Sequence, residues 1–182
     1  MTAVLDMSDS AIKTVYNSCA KNFAQASALY QTPLNLSEQT NCLSYALGIP
    51  DAGMAVIGHL SNPNPILYHT MMYAEKIHEL MEADGLVEIR KRNFSACEGQ
   101  IIAVMIKEYH CGHVYKYHKD GTWSHQAGMG GEITNLDCDG QIITDLETAN
   151  TGFYDELVGY YKMPDAGLRY LTCPKAMQSL SL

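Results

Sequence analysis

No Cys-x-x-Cys pair occurs in the chain, which removes the commonest zinc-site signature together with the thioredoxin-type redox motif. No stretch of Met1–Ser10 is apolar enough for the core of a secretory signal or a membrane span. The expectation is therefore a protein made in the cytoplasm and not inserted in a membrane. Without a leader, the six cysteines (Cys19, Cys42, Cys97, Cys111, Cys138, Cys173) read as mostly reduced, structural thiols and not as a disulfide framework. Positive charge is scarce as well: twelve Lys and Arg against twenty Asp and Glu leave a formal charge of −8. Such a balance repels nucleic acid and anionic membranes. The one tight basic cluster, Arg90-Lys91-Arg92 beside Glu88, reads as a solvated strand end or turn. Repeats, low-complexity tracts and linkers are absent. What remains is 182 residues with 47% hydrophobic and 18% charged side chains, enough to bury the core of a single domain over 1–182.

The apolar residues Ile12, Val15, Cys19, Phe23, Ala26 and Tyr30 recur at three- and four-residue steps and predict an amphipathic helix from Ser10 to Tyr30, ended by Pro33. Ser37 or Thr40 can cap a short second helix beginning near Cys42, with Gly48 and Pro50 as its stop. Asn64-Pro65 opens a third, closed at Asp84-Gly85. After Gly85 the pattern turns to short β-prone runs: 86–89, 100–106, 113–118, 122–125 and 156–163. Lys119-Asp120-Gly121 reads as a hairpin turn, and Cys138-Asp139-Gly140 before Ile142-Ile143 as another. A helical part over about 8–84 and an antiparallel sheet over about 86–164 make an α+β plan.

Cys42 begins the run Leu43-Ser44-Tyr45-Ala46-Leu47, which sets its sulfur on the first turn of a helix, where the helix N-terminus favours the thiolate. The same pattern also suits a buried, inert cysteine. His113 starts a strand and is free to face a helix packed across the sheet; an imidazole titrating near neutrality can take a thiol proton and return it to a leaving amine. The hairpin decides a further partner. An odd-length loop at 119–121 puts His118 opposite Thr122 and Tyr115 opposite His125, so that His113 and His125 become diagonal neighbours on one face. A two-residue turn would shift the register and separate them. His110, Cys111, His113 and His118 are metal-ligand types, but strand alternation argues against His110 and Cys111 converging with His113, and no metal or other cofactor is expected. His59, His69 and His78 read as surface residues. Gly128-Met129-Gly130-Gly131 lacks the helix and the Lys-Ser or Lys-Thr of a phosphate loop and reads as a flexible loop edging a cleft. The twelve tyrosines suit the wall of a cleft for a peptide or glycan, and equally half-exposed sheet positions.

Asn-Cys-Leu-Ser-Tyr-Ala-Leu-Gly at 41–48, Glu-Gly-Gln-Ile-Ile-Ala-Val at 98–104, Gly-His-Val-Tyr-Lys-Tyr at 112–117 and Trp-Ser-His at 123–125 resemble the working parts of the papain-like NlpC/P60 and CHAP superfamily of cysteine peptidases and amidases. The likeness covers about half the chain and rests on order and spacing. It departs at Asn41, where the family's usual residue is Asp, and at Gly99-Gln100, where Gly-Asp is usual. The segments 120–128 and 134–137 also resemble uncharacterised bacterial proteins. The superfamily resemblance implies a papain-like fold with Cys42 as nucleophile, His113 as general base and His125 as the third residue, with Asn135 and Asp137 as alternatives to His125. Gln39 is the candidate oxyanion donor beside the Cys42 N–H. It further implies an amide or peptide hydrolase acting on peptidoglycan or peptide, as an exported antibacterial effector or a phage product with an immunity or inhibitor protein as partner. The alternatives are acyl transfer or deamidation with the same residues, and a non-catalytic module using the same shell.

Overall fold

Ile101–Lys107 reads Ile-Ile-Ala-Val-Met-Ile-Lys, and all but the last of these residues are buried. A strand apolar at successive positions is one covered on both faces, and this run forms the spine of the molecule. The computed structural model describes residues 11–16, 21–28, 30, 40–62, 69–97 and 99–172. In chain order the elements are strand β1 (Ile12–Val15), helices α1 (Phe23–Ala28), α2 (Cys42–Leu47) and α3 (Ala74–Ala83), then strands β2 (Val87–Ile89), β3 (Ile101–Lys107), β4 (Cys111–Tyr117), β5 (Trp123–Gln126), β6 (Ile133–Thr134), β7 (Glu156–Lys162) and β8 (Leu168–Leu171). Six strands form one antiparallel sheet in the order β2-β7-β3-β4-β5-β6, and β1 pairs with β8 separately.

Alternation along β3 and β4 divides the core in two. Ile102, Val104, Ile106 and Val114 face α2 and α3, packing against Leu43, Leu47, Ile77 and Met81. Ile101, Ala103, Met105 and Tyr115 face the other way, under Trp123, Ile143, Leu146 and Tyr160. That second face is covered by connecting segments and aromatic rings: Phe94 lies 4.9 Å from Tyr160 and 5.8 Å from Trp123, centroid to centroid. The architecture is α+β with antiparallel sheets.

The helix expected over Ser10–Tyr30 does not form. Ile12 to Val15 is β1, with Ile12 opposite Leu171 and Val15 opposite Leu168. Three of its four residues are β-branched and favour strand once a partner exists, and the three-residue apolar spacing is compatible with either state. The helix begins later, where the Asn22 side chain accepts the Gln25 N–H at 3.0 Å and caps α1. The third helix is likewise shorter than 64–84: α3 starts at Ala74, after a single 3-10 turn at His69–Met71. Pro65 and Ile66 lie outside the described residues. Its stop is where expected, with Gly85 at φ 93° after Asp84. The six-stranded sheet ends at Lys162, and the strand β8 that follows Pro164 pairs only with β1. Cys138-Asp139-Gly140 is a turn, but the residues it joins make only an isolated bridge, Leu136 to Ile142. His78 is half-buried, its Nδ1 accepting from the hydroxyl of fully buried Tyr161 at 3.0 Å.

Candidate active site

Asn41, and not Ser37 or Thr40 as expected, opens α2 with a reciprocal cap. Its side chain accepts the Ser44 N–H at 3.1 Å, and Ser44 Oγ accepts the Asn41 N–H at 3.0 Å. Gly48, in the left-handed region at φ 69°, closes the helix after six residues. Cys42 is thereby placed at the first helical position. The helix and the residue before its cap are both tied to β5: Tyr45 and Ser124 hydroxyls meet at 2.7 Å, and Thr40 Oγ1 donates to Gln126 Oε1 at 3.0 Å.

The β4–β5 hairpin has the odd-length register. Tyr115 pairs with His125, and the His118 N–H donates to the Thr122 carbonyl at 2.9 Å. Gly121 at φ 86° and the Asp120 side chain, which accepts the Thr122 N–H at 3.0 Å, shape the turn. His113 and His125 accordingly share a face, and His113 Nε2 lies 2.8 Å from His125 Nδ1.

The same alternation corrects one expectation: His113 points away from α2. Val114 faces the helix, while His113 joins Tyr115, His125 and Tyr154 on the opposite face. Cys42 meets β4 instead through the backbone next to His113, where the β4–β5 pairing stops. Even-numbered residues of β4 direct their N–H groups toward β5, as His118 does, but the β4–β5 pairing ends at Tyr115. The Val114 N–H, left over by that ending, bonds the Cys42 sulfur. The thiol thus sits one peptide bond from His113.

Tautomers follow from this network. His125 Nε2 lies 3.3 Å from the Leu136 carbonyl, which can only accept, so that nitrogen carries the proton. In a neutral ring Nδ1 is then an acceptor, His113 Nε2 donates to it, and His113 Nδ1 is left with a lone pair. Of the two ring nitrogens, Nδ1 is the one nearer the main chain. Both rings are held neutral. Burial, with His125 adding to it, pushes His113 down to about 3, and burial lowers His125 against the pull of the Leu136 carbonyl.

Burial also pushes the Cys42 thiol up to about 11, although the N–H groups of Val114, Leu43 and Cys42 itself pull the other way. The thiolate expected from the helix N-terminus is therefore not the resting state. A six-residue helix supplies a small dipole, and desolvation of a sulfur anion outweighs it. The resting pair is a thiol and a neutral imidazole.

Tyr154 is the residue that the sequence did not reveal. Its ring stacks on His113 at 4.8 Å and 15°, and its hydroxyl donates to the Cys111 sulfur. Burial and the nearby Cys111 and Cys42 raise that hydroxyl to about 12 and keep it protonated. Cys111, expected to point elsewhere, shares the face of His113 two residues on, whereas His118 lies on the α2 side with Ser124 at 2.6 Å. Among the described residues no three His, Cys, Asp or Glu side chains converge as a metal site. Asn135 contributes its carbonyl to the Ile143 N–H, and the Asp137 carboxylate is taken by backbone N–H groups of its own turn and of Asn150. Gln39 lies outside the described residues, as do Cys19 and Cys173. The four described cysteines are all free thiols.

A cavity of about 400 Å³ opens beside the two histidines, walled by Tyr115, Ile143, Leu136, Phe153 and Tyr154 and edged by Gly128 of the glycine-rich loop. Cys42 is not among its lining residues.

No family model matches the chain. A curated relative, "Insoluble matrix shell protein 1" of Ruditapes philippinarum, is 29% identical over 125 residues, 69% of this chain and 80% of its own length. No solved structure matches.

Proposed function

We propose that the chain is a papain-like cysteine hydrolase of amide bonds, with Cys42 as nucleophile, His113 as base and His125 holding the base in its reactive tautomer. The observation that carries this reading is the chain of bonds Leu136 carbonyl, His125, His113, which leaves His113 Nδ1 unprotonated on the residue next to Val114, whose N–H bonds the Cys42 sulfur. Because the resting pair is neutral, the thiol proton passes to His113 Nδ1 as sulfur bonds to the substrate carbonyl carbon. His113 then returns that proton to the leaving amine as the C–N bond breaks. Water, activated by the same nitrogen, releases the acid and restores the thiol. The Cys42 N–H at the start of α2 is the backbone donor available to the oxyanion. Acyl transfer or deamidation would use the same residues with another acceptor or a side-chain amide. A peptide or peptidoglycan substrate remains part of the proposal, as do export as an effector and an inhibitor partner.

The test is acyl-enzyme trapping: the full chain is exposed to a p-nitrophenyl ester, quenched in acid and peptide-mapped by mass spectrometry. A stoichiometric acyl adduct on Cys42 that is lost in His113→Ala supports the hydrolase. No adduct on Cys42, or the same adduct in both proteins, rejects it.

A second reading, a non-catalytic binding module, is favoured by two observations: the thiol is raised by burial, and Cys42 is not part of the cavity wall. The shell-matrix name of the relative is in keeping with a structural role of that kind.

A further inference from the structure

The cavity beside His113 has a composition that selects its occupant. Apolar and aromatic surface makes up most of its wall, and Leu136 and Phe153 carry that surface outward, being 40% and 54% exposed. No lysine or arginine lines it among the described residues. Its two imidazoles are neutral, one already donating to the other, and Thr134, Asn150 and Thr151 add only uncharged polar groups. Its one charged lining side chain is Asp137, held below the usual carboxylate range by N–H groups led by that of Gln141. A carboxylate entering this space would lose its water, meet no cation and lie near a fixed negative charge. An uncharged apolar group would exchange water for ring faces and a methyl-lined wall.

We infer that the cavity binds an uncharged aromatic or branched apolar group, carried by an amide next to the bond to be cut, and rejects acidic groups. This specifies the substrate of the proposed hydrolase and rests on that reading for the position of the bond, but the binding step itself does not need Cys42. It directs the search away from carboxylate-rich wall peptides and toward amides of apolar residues.

The experiment uses N-acetyl-phenylalanine amide and N-acetyl-glutamate amide as probes, with the full chain and its Cys42→Ala variant. Binding is read from shifts of the His113 and His125 ring resonances. The phenylalanine amide is expected to bind at least about ten-fold more tightly than the glutamate amide in both proteins. Leu136→Arg, a change at a half-exposed side chain that the fold can tolerate, is expected to narrow or reverse that ratio. Equal or tighter binding of the glutamate amide, or a phenylalanine amide that leaves both rings unshifted, overturns the inference. Preferential phenylalanine binding without any acyl adduct on Cys42 would sink the hydrolase alone, whereas an adduct with glutamate preference would sink the pocket assignment alone.

Discussion

His125 acts on His113 through a single hydrogen bond, and its own Nε2 proton is committed to the Leu136 carbonyl. Replacing it by alanine removes the acceptor that keeps the proton on His113 Nε2, and the ring can then present the protonated nitrogen to Cys42. His125→Ala is expected to slow acylation of Cys42 by about 10²- to 10⁴-fold. His125→Gln, whose carbonyl oxygen can accept the same proton, is expected to recover part of the rate; equal rates in the two variants would count against a tautomer role. How far this pair was legible in the sequence depended on one feature, the three-residue turn 119–121, because it fixes the hairpin register. Tyr154 was not legible. It arrives from a connecting segment some forty residues beyond His113, and one tyrosine among twelve carries no local mark of its partner. The state of the Cys42 thiol, left open between a thiolate and a buried thiol, was not legible for a related reason: helix position can be read locally, but the burial that raises the thiol is set only by the packed fold.

At the scale of the element, α2 is six residues long and cannot stand alone. Its placement depends on the Asn41 cap, whose Nδ2 also donates to the Ala55 carbonyl at 2.7 Å. Asn41→Ala is expected to cost about 1 kcal/mol. That is a fall in Tm of about 2–4 °C for a chain of this size, checked by thermal unfolding; acylation of Cys42 should fall with it because the nucleophile sits on the first turn. The hairpin makes a second test. Gly121 adopts φ 86° with open space around its Cα, so Gly121→Ala meets a conformational penalty and no clash. A loss of about 1 kcal/mol is expected, measured by urea unfolding, with the His113–His125 bond retained. The start of α2 near Cys42 and its glycine stop were legible because both are written within a few residues, but the capping residue was not, since Asn41 takes the role expected of Ser37 or Thr40. β1 was not, because Ile12, Lys13, Thr14 and Val15 become a strand only against Leu168–Leu171, more than 150 residues away.

For the whole molecule, acid should be more damaging than the acidic composition suggests. His113 and His118 are both buried and neutral, with folded values pushed down to about 3 and about 4, chiefly by burial. In the unfolded chain each titrates near 6.5, so between that value and the folded one the unfolded state binds more protons. Stability present above about pH 6.5 is therefore lost as pH falls. His113 alone accounts for about 2 kcal/mol between pH 6.5 and pH 5. Asp84 works in the opposite direction: burial raises it to about 6 even though its carboxylate accepts the Leu60 and Gly58 N–H groups, so the folded state is the better proton binder between about 6 and the ordinary value. The histidines outnumber it, and Tm is expected to drop steadily from pH 7 to pH 4.5; a profile flat to pH 4.5 would contradict the buried neutral rings. What the sequence determined by itself was whatever depends on near neighbours: the β-prone runs after Gly85, the start of α2 near Cys42 with its glycine stop, and a turn at 119–121 whose register, like the capping residue Asn41, the fold then settled. The tertiary structure decided the rest, namely the strand state of Ile12–Val15, the sheet face on which His113 lies, the cavity wall drawn from 136–154, and the neutral resting pair. The division is physical: propensity and register act over a few residues, whereas burial, and the cost of charge that comes with it, is set by chain segments that meet only when the fold is complete.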